Sequence, residues 1–166
     1  MYELKSLAKD GIQGALEKAE RYRLLNEPWQ AESICRDVLE VEPSSQRAKI
    51  GLLLALTDQL GTAAGRGYDE ARELIKTLEG DYERLYYSGL LCERRAKSHF
   101  ERGTPGSGSI AYNAYREAMQ WFEQADALKT RGNEEAALRW NTCARMLNKY
   151  PELQPAPEDD FLPMLE

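Results

Sequence analysis

An all-α fold is predicted for this 166-residue chain by three features. Valine occurs only at Val38 and Val41, and the β-branched residues that suit a pleated sheet are few. Leucine, alanine, glutamate, arginine and lysine, the good helix formers, are abundant. Between clusters of glycine, proline and asparagine, apolar residues recur at helical spacing.

The punctuation falls at Asn26 to Pro28, Pro43 to Ser45, Gly61 to Gly67, Gly80, Gly103 to Ser109, Gly132 to Asn133, and Pro151. It predicts helices over 3–25, 28–41, 44–60, 68–79, 81–102, 110–129 and 133–149. The first is the periodic segment before Asn26. Pro28 opens the second, where a missing N–H costs nothing. Ser44 or Ser45, after Pro43, caps the third by accepting an orphan amide bond. Gly80 stops the fourth in a left-handed conformation. The fifth carries Tyr82, Tyr86 and Tyr87, and ends on Arg94, Arg95, Lys97, His99 and Arg102. The sixth follows the Gly103–Ser109 segment, which is predicted to be a flexible connector. Asn133 caps the seventh, with Glu134 and Glu135 in its first turn.

The formal charge is −6. A net acidic chain argues against general nucleic-acid binding, which needs a basic surface, and against docking on anionic lipid. Residues 151–166 hold Glu152, Glu158, Asp159, Asp160 and Glu166 with no Lys or Arg, so residues 1–150 carry 23 acids against 22 bases. The chain is thus a nearly neutral body, 1–150, with an acidic, proline-rich tail, 151–166. Within the tail, Phe161, Leu162, Met164 and Leu165 follow the acids. Two readings stand: a linear motif for a partner, or an apolar strap over the last helix covering Trp140 or Leu147.

Chemistry-bearing residues are sparse. Cys35, Cys92 and Cys143 stand far apart on apolar helical registers, as buried free thiols do. His99 is the only histidine, so no zinc-ligand spacing exists, and no nucleophile motif surrounds it. Gly103 to Ser109 lacks the Lys-Ser/Thr ending of a phosphate loop. No metal, cofactor or enzymatic activity is expected. No apolar run approaches a membrane span, and the first ten residues do not resemble a signal peptide, so a cytoplasmic location is expected.

The even-numbered helices share one frame. Pro28 to Ala31, Tyr68 to Ala71 and Tyr115 to Ala118 align without gaps. Three residues after each alanine stand Ile34, Leu74 and Trp121; four after, Cys35, Ile75 and Phe122; seven after, Val38, Leu78 and Ala125. These offsets form one helix stripe. The alanines are 40 and 47 residues apart, longer than a 34-residue helix-turn-helix repeat, with the excess assigned to the Gly61–Gly67 and Gly103–Ser109 loops and a long fifth helix.

With these residues the chain resembles the tetratricopeptide repeat family over about residues 10 to 150. The openings at Tyr68 and Tyr115, the series Ala31, Cys35, Val38 and Pro43, the pair Ala19 and Tyr22, and Trp140-x-x-Cys-Ala144-x-x-Leu147 carry the resemblance. Gly51 and Gly89 fit close-approach positions of first helices. Ala15 stands where the family's first-helix tryptophan would. The resemblance implies a right-handed superhelix of antiparallel helix pairs, about three repeats plus a C-terminal capping helix. It further implies a non-enzymatic scaffold that holds a protein or peptide in a concave groove. Groove positions carried over are Gln13, Glu20, Arg23, Arg47, Tyr86, Glu93, Asn141 and Arg145. Glu20 occupies a position where a carboxylate clamp needs a polar or basic residue, so that family subclass is not expected. A small acidic secretion-type chaperone is the alternative reading, and exposed apolar ends of the stack can pair two copies. Arg94, Arg95 and Lys97 read either as complementing the helix macrodipole or as a site for an anion or the acidic tail.

Overall fold

Glycines and prolines stand at the helix ends, as the punctuation predicts. The computed structural model describes residues 2–61 and 67–156, and the tail residues Phe161, Leu162, Met164 and Leu165 lie outside them. A 3-10 turn, Lys9–Gly11, leads into α1 (Ile12–Leu24), α2 (Pro28–Val41), α3 (Gln46–Asp58), α4 (Gly67–Lys76), α5 (Asp81–Arg102), α6 (Ser107–Ala127) and α7 (Glu135–Lys149). Among the described residues there is no strand, and no helix is long and apolar enough to cross a membrane.

The caps are local chemistry. Pro28 fills the first turn of α2. Ser45 Oγ accepts from the Ala48 amide at the start of α3, and Asn133 Oδ1 accepts from the Glu135 amide at the start of α7 at 3.1 Å. Gly80 does not stop the fourth helix as predicted: α4 ends earlier, at Lys76. Gly80 precedes α5 with a φ of +83° and a ψ of 138°, a positive-φ region L side chains rarely enter but not the left-handed helical one.

Two other predicted boundaries are corrected. Residues 3–8 are not helical: Tyr2 and Leu4 are 100 % and 86 % exposed, so no neighbouring helix supplies the packing that would hold another turn there. Leu7 alone reaches inward, against the small cluster of Leu16, Val38 and Ala48. The connector before α6 is also shorter than predicted. It spans 103–106, while Ser107, Gly108 and Ser109 are helical. Ser107 is buried, and a Cβ at Gly108 would run into the Glu152 carbonyl, so this glycine serves close packing within a helix.

Short links fold consecutive helices back on one another. Each helix packs on the next, and the odd-numbered helices also meet in series, α1 with α3, α3 with α5, and α5 with α7. Across the even-numbered helices, Arg36 of α2 donates to both carboxylate oxygens of Glu70 on α4, at 2.8 and 2.9 Å. The repeat frame is visible in burial. Residues at offsets 0, 4 and 7 are buried in all three copies, and those at offset 3 are half-buried in all three.

Two cores result. One lies under α1 to α4 and takes Leu91 from α5; the other joins α5, α6 and α7 and takes Cys92 and Ala96. Both glycines singled out for close approach receive the offset-4 residue of an even helix. A Cβ at Gly51 would stand 2.8 Å from Cys35 Sγ of α2, and one at Gly89 would stand 2.7 Å from the Phe122 ring of α6. The start of the tail belongs to the second core. Tyr150 packs on Phe100 with ring centroids 4.8 Å apart, and Leu153 is 4 % exposed. This strap crosses the α5–α6 end, and Trp140 stays partly exposed.

Candidate peptide-binding face

The serial contacts of α1, α3, α5 and α7 create a strip of side chains at their junctions. Between α1 and α3 lies an apolar cleft of about 360 Å³. Leu16 and Ala19 form one wall, Ile50 and Leu54 the other, and Cys35 lies at the bottom. Glu20 and Arg47 stand at its rim, joined by Arg47 Nε donating to Glu20 Oε1 at 2.9 Å. Both are exposed, so this pair contributes little stability and can part for a ligand.

A second, polar cleft of about 320 Å³ opens between α3 and α5. Arg23 lines it as well as the apolar cleft, so the two adjoin at that side chain. Arg23 Nε donates to Asp58 Oδ2 at 2.9 Å, and Arg94 Nη2 stands 3.9 Å from Asp58 Oδ1. Two guanidinium groups therefore converge on one carboxylate. The Arg94 Nε is buried and has no hydrogen-bond partner among the described residues. Lys97 completes the basic side, 3.6 Å from Glu101.

At the third junction, Glu93 of α5 is 9 % exposed and pairs with Arg139 Nη1 of α7 at 3.3 Å. Burial raises the Glu93 carboxyl above its ordinary value, against the lowering influence of Arg139 and Arg94. Tyr86 is half-buried beside it. Its ring lies 5.1 Å edge-on to Tyr87 and 5.8 Å from Phe122, so most of its surface serves helix packing.

The structure thus joins Glu20, Arg23 and Arg47 with Arg94 and Lys97 in one strip. It places the other candidates elsewhere. Gln13 stands two turns before Glu20, donates to Glu17 Oε1 at 3.1 Å, and lines a separate hollow with Val41 and Glu42. Arg95 turns away from the basin: it donates to the Tyr68 hydroxyl at 2.9 Å and pairs with Glu117 at 3.3 Å. Glu93 is enclosed by α7. Asn141 and Arg145 are exposed, but about 200° and 240° around α7 from Arg139, the residue that meets α5. Sequence reasoning missed Arg139, Asp58, Ile50 and Leu54. The signal available for the last two was the apolar run Ile50 to Leu56, whose outer members have no partner helix to cover them.

The thiols are shielded. Burial pushes Cys35 up to about 11, and Cys92 and Cys143 each to about 12. A thiol reagent at pH 8 is therefore expected to leave the native chain unmodified and to titrate all three cysteines once denaturant is added; fast labelling before unfolding would contradict the packing. His99 is held below its usual value by partial burial and by Arg102 and Arg95. No group of three His, Cys, Asp or Glu able to hold a metal occurs among the described residues.

A scan of protein-family models, a search of curated proteins and a search of solved structures each return no match to this chain.

Proposed function

We propose that this chain is a non-enzymatic helical-repeat scaffold that holds a peptide segment of a partner protein along the face of its odd-numbered helices. The observation that carries the reading is the adjacency of an apolar cleft and a basic-rimmed polar cleft, both lined by Arg23. An apolar side chain fits the first, where Ile50 and Leu54 remain half-exposed, and burying it there is the main source of affinity. A carboxylate fits the second, where Arg94 and Lys97 stand with Arg23 against fewer acids. The ligand is therefore a segment with acidic residues next to apolar ones.

The finer architecture belongs to the same proposal. Three helix pairs, α1 with α2, α3 with α4 and α5 with α6, stack as tetratricopeptide-like repeats into a right-handed superhelix capped by α7. The threefold burial frame and the serial contacts of the odd helices support it. A pair cannot bury its own face, and stacking leaves an extended inner surface.

Panning a random peptide library against the full chain tests the function. Enriched peptides are expected to carry acids beside apolar residues. Leu54→Asp, which puts a charge in the apolar cleft, is expected to weaken them by about tenfold or more. Arg145→Ala, on the far side of α7, is expected to leave affinity unchanged. Sensitivity at Arg145 with none at Leu54 would sink the assignment, provided helicity by circular dichroism is intact in both variants.

A further inference from the structure

A segment of the same chain carries chemistry complementary to the clefts described above. Glu158, Asp159 and Asp160 precede Phe161, Leu162, Met164 and Leu165. The order, acids then apolar residues, is the order of the strip read from α5 toward α1: the basic basin first, then the apolar cleft.

The point of emergence is favourable. The strap brings Glu152, Gln154 and Pro155 against Phe100, Gly103 and Gly108 at the C-terminal end of α5. Phe100 lies beneath the strap and its neighbour Glu101 lines the basin, so the path between them turns about a quarter of the way around one helix about 10 Å across. Residues 157–160 can span about 13 Å when extended, at about 3.3 Å each. The apolar cleft lies one helix further on, about 9 Å away. By Met164, eight residues past Ala156, the chain can reach about 26 Å. The prolines at 155, 157 and 163 favour extended backbone, the form that gives the segment its reach.

Charge agrees with reach. Among the described residues, the basin is lined by three bases, Arg23, Arg94 and Lys97, and two acids, Asp58 and Glu101. Among the described residues Arg94 shares Asp58 with Arg23, at 3.9 Å against 2.8 Å for Arg23.

We infer that residues 158–165 occupy the face of their own chain, with Glu158, Asp159 and Asp160 against Arg94 and Lys97 and the apolar residues from Phe161 to Leu165 in the α1–α3 cleft. The segment is then an internal competitor. A tethered ligand acts at millimolar effective concentration, so a partner peptide binds only when it outcompetes the tail. The inference rests on the groove reading above and names what holds the groove before a partner arrives.

A fluorescent synthetic peptide of residues 156–166 tests it, offered to two full-length chains. One is wild type; the other carries Glu158→Gln, Asp159→Asn, Asp160→Asn, Phe161→Ser and Leu162→Ser. The peptide is expected to bind the substituted chain and to bind wild type about tenfold or more weakly, because the intact tail competes. Lys97→Glu in the substituted chain is expected to weaken binding. A peptide with Glu158→Gln, Asp159→Asn and Asp160→Asn is expected to lose it, which probes the charges without touching the folded body. Equal affinity for the two chains, or full affinity of the neutralised peptide, overturns the inference. A dimer that forms only when the acids are present also overturns it, since the tail would then sit on a second copy. If library peptides bind the face while the tail peptide does not, the inference fails and the groove reading survives; if neither binds, both fail.

Discussion

Phe122→Ala is expected to cost about 3–5 kcal/mol, a large share of the stability of a domain this size. The ring is 0 % exposed on α6, lies under Gly89 of α5 and stands 5.8 Å from the Tyr86 ring. Truncation loses the transfer of the ring from water and leaves a cavity between two long helices that are already in close contact. The reciprocal change, Gly89→Ala, sets two effects against each other. Alanine gains about 1 kcal/mol in a helix interior. Its Cβ, however, would stand within about 3.0 Å of three ring atoms of a side chain that has no room to withdraw. Overpacking of this kind costs about 1–3 kcal/mol, so the net change is a loss. Phe122→Leu in the same chain is expected to relieve part of it. Urea denaturation followed by circular dichroism measures all three, and a loss below about 1 kcal/mol for Phe122→Ala would show that the α5–α6 contact does not organise the second core.

The second large effect is expected at Arg139. Replacement by methionine keeps the aliphatic stem but leaves Glu93 buried without its partner at 3.3 Å. The pair is part-buried, so leaving the Glu93 carboxylate without this partner costs about 1–3 kcal/mol at neutral pH. The pH dependence follows from the raised carboxyl of Glu93. Between its ordinary value and its higher folded value, the native state binds more protons than the unfolded chain, so stability falls as pH rises through that window. Arg139→Met removes a charge that lowers the folded value, so the window widens upward. The variant is therefore expected to be weakest near neutrality and to regain stability on acidification. Adding Glu93→Gln is expected to restore most of the loss and to flatten the profile. Urea midpoints at acid and neutral pH decide the matter, and a loss independent of pH would assign Arg139 a packing role instead.

What could be read in the sequence was the part fixed by period. The stripe at Ala31, Ala71 and Ala118 depends only on local spacing, and its burial is the same in three places. The close approaches at Gly51 and Gly89 were legible from the resemblance to a helix-pair repeat and not from glycine alone, since Gly14, also inside a helix, has open space around it. The end of α1 nearest the N-terminus was not legible, because period alone does not say whether another helix will cover it. The face was legible only in part. Arg23 and Arg94 are 71 residues apart and share Asp58 through the docking of α1 and α5 on α3, which no local pattern records. On α7, the register was anchored on Trp140, and that choice selected Asn141 and Arg145 while the helix turns Arg139 toward α5.

The two-sidedness of α5 has a consequence for how the molecule comes apart. Most stacked repeats touch only their neighbours and can melt from either end, one unit at a time. Here a single 22-residue helix contributes Leu91 to one core and Cys92 and Ala96 to the other. Neither half can lose its order without stripping one side of the same rod, so α5 serves as a spine that couples the two cores. Of the two clefts, only the polar one borders that helix, through Arg94, Lys97, Ser98 and Glu101.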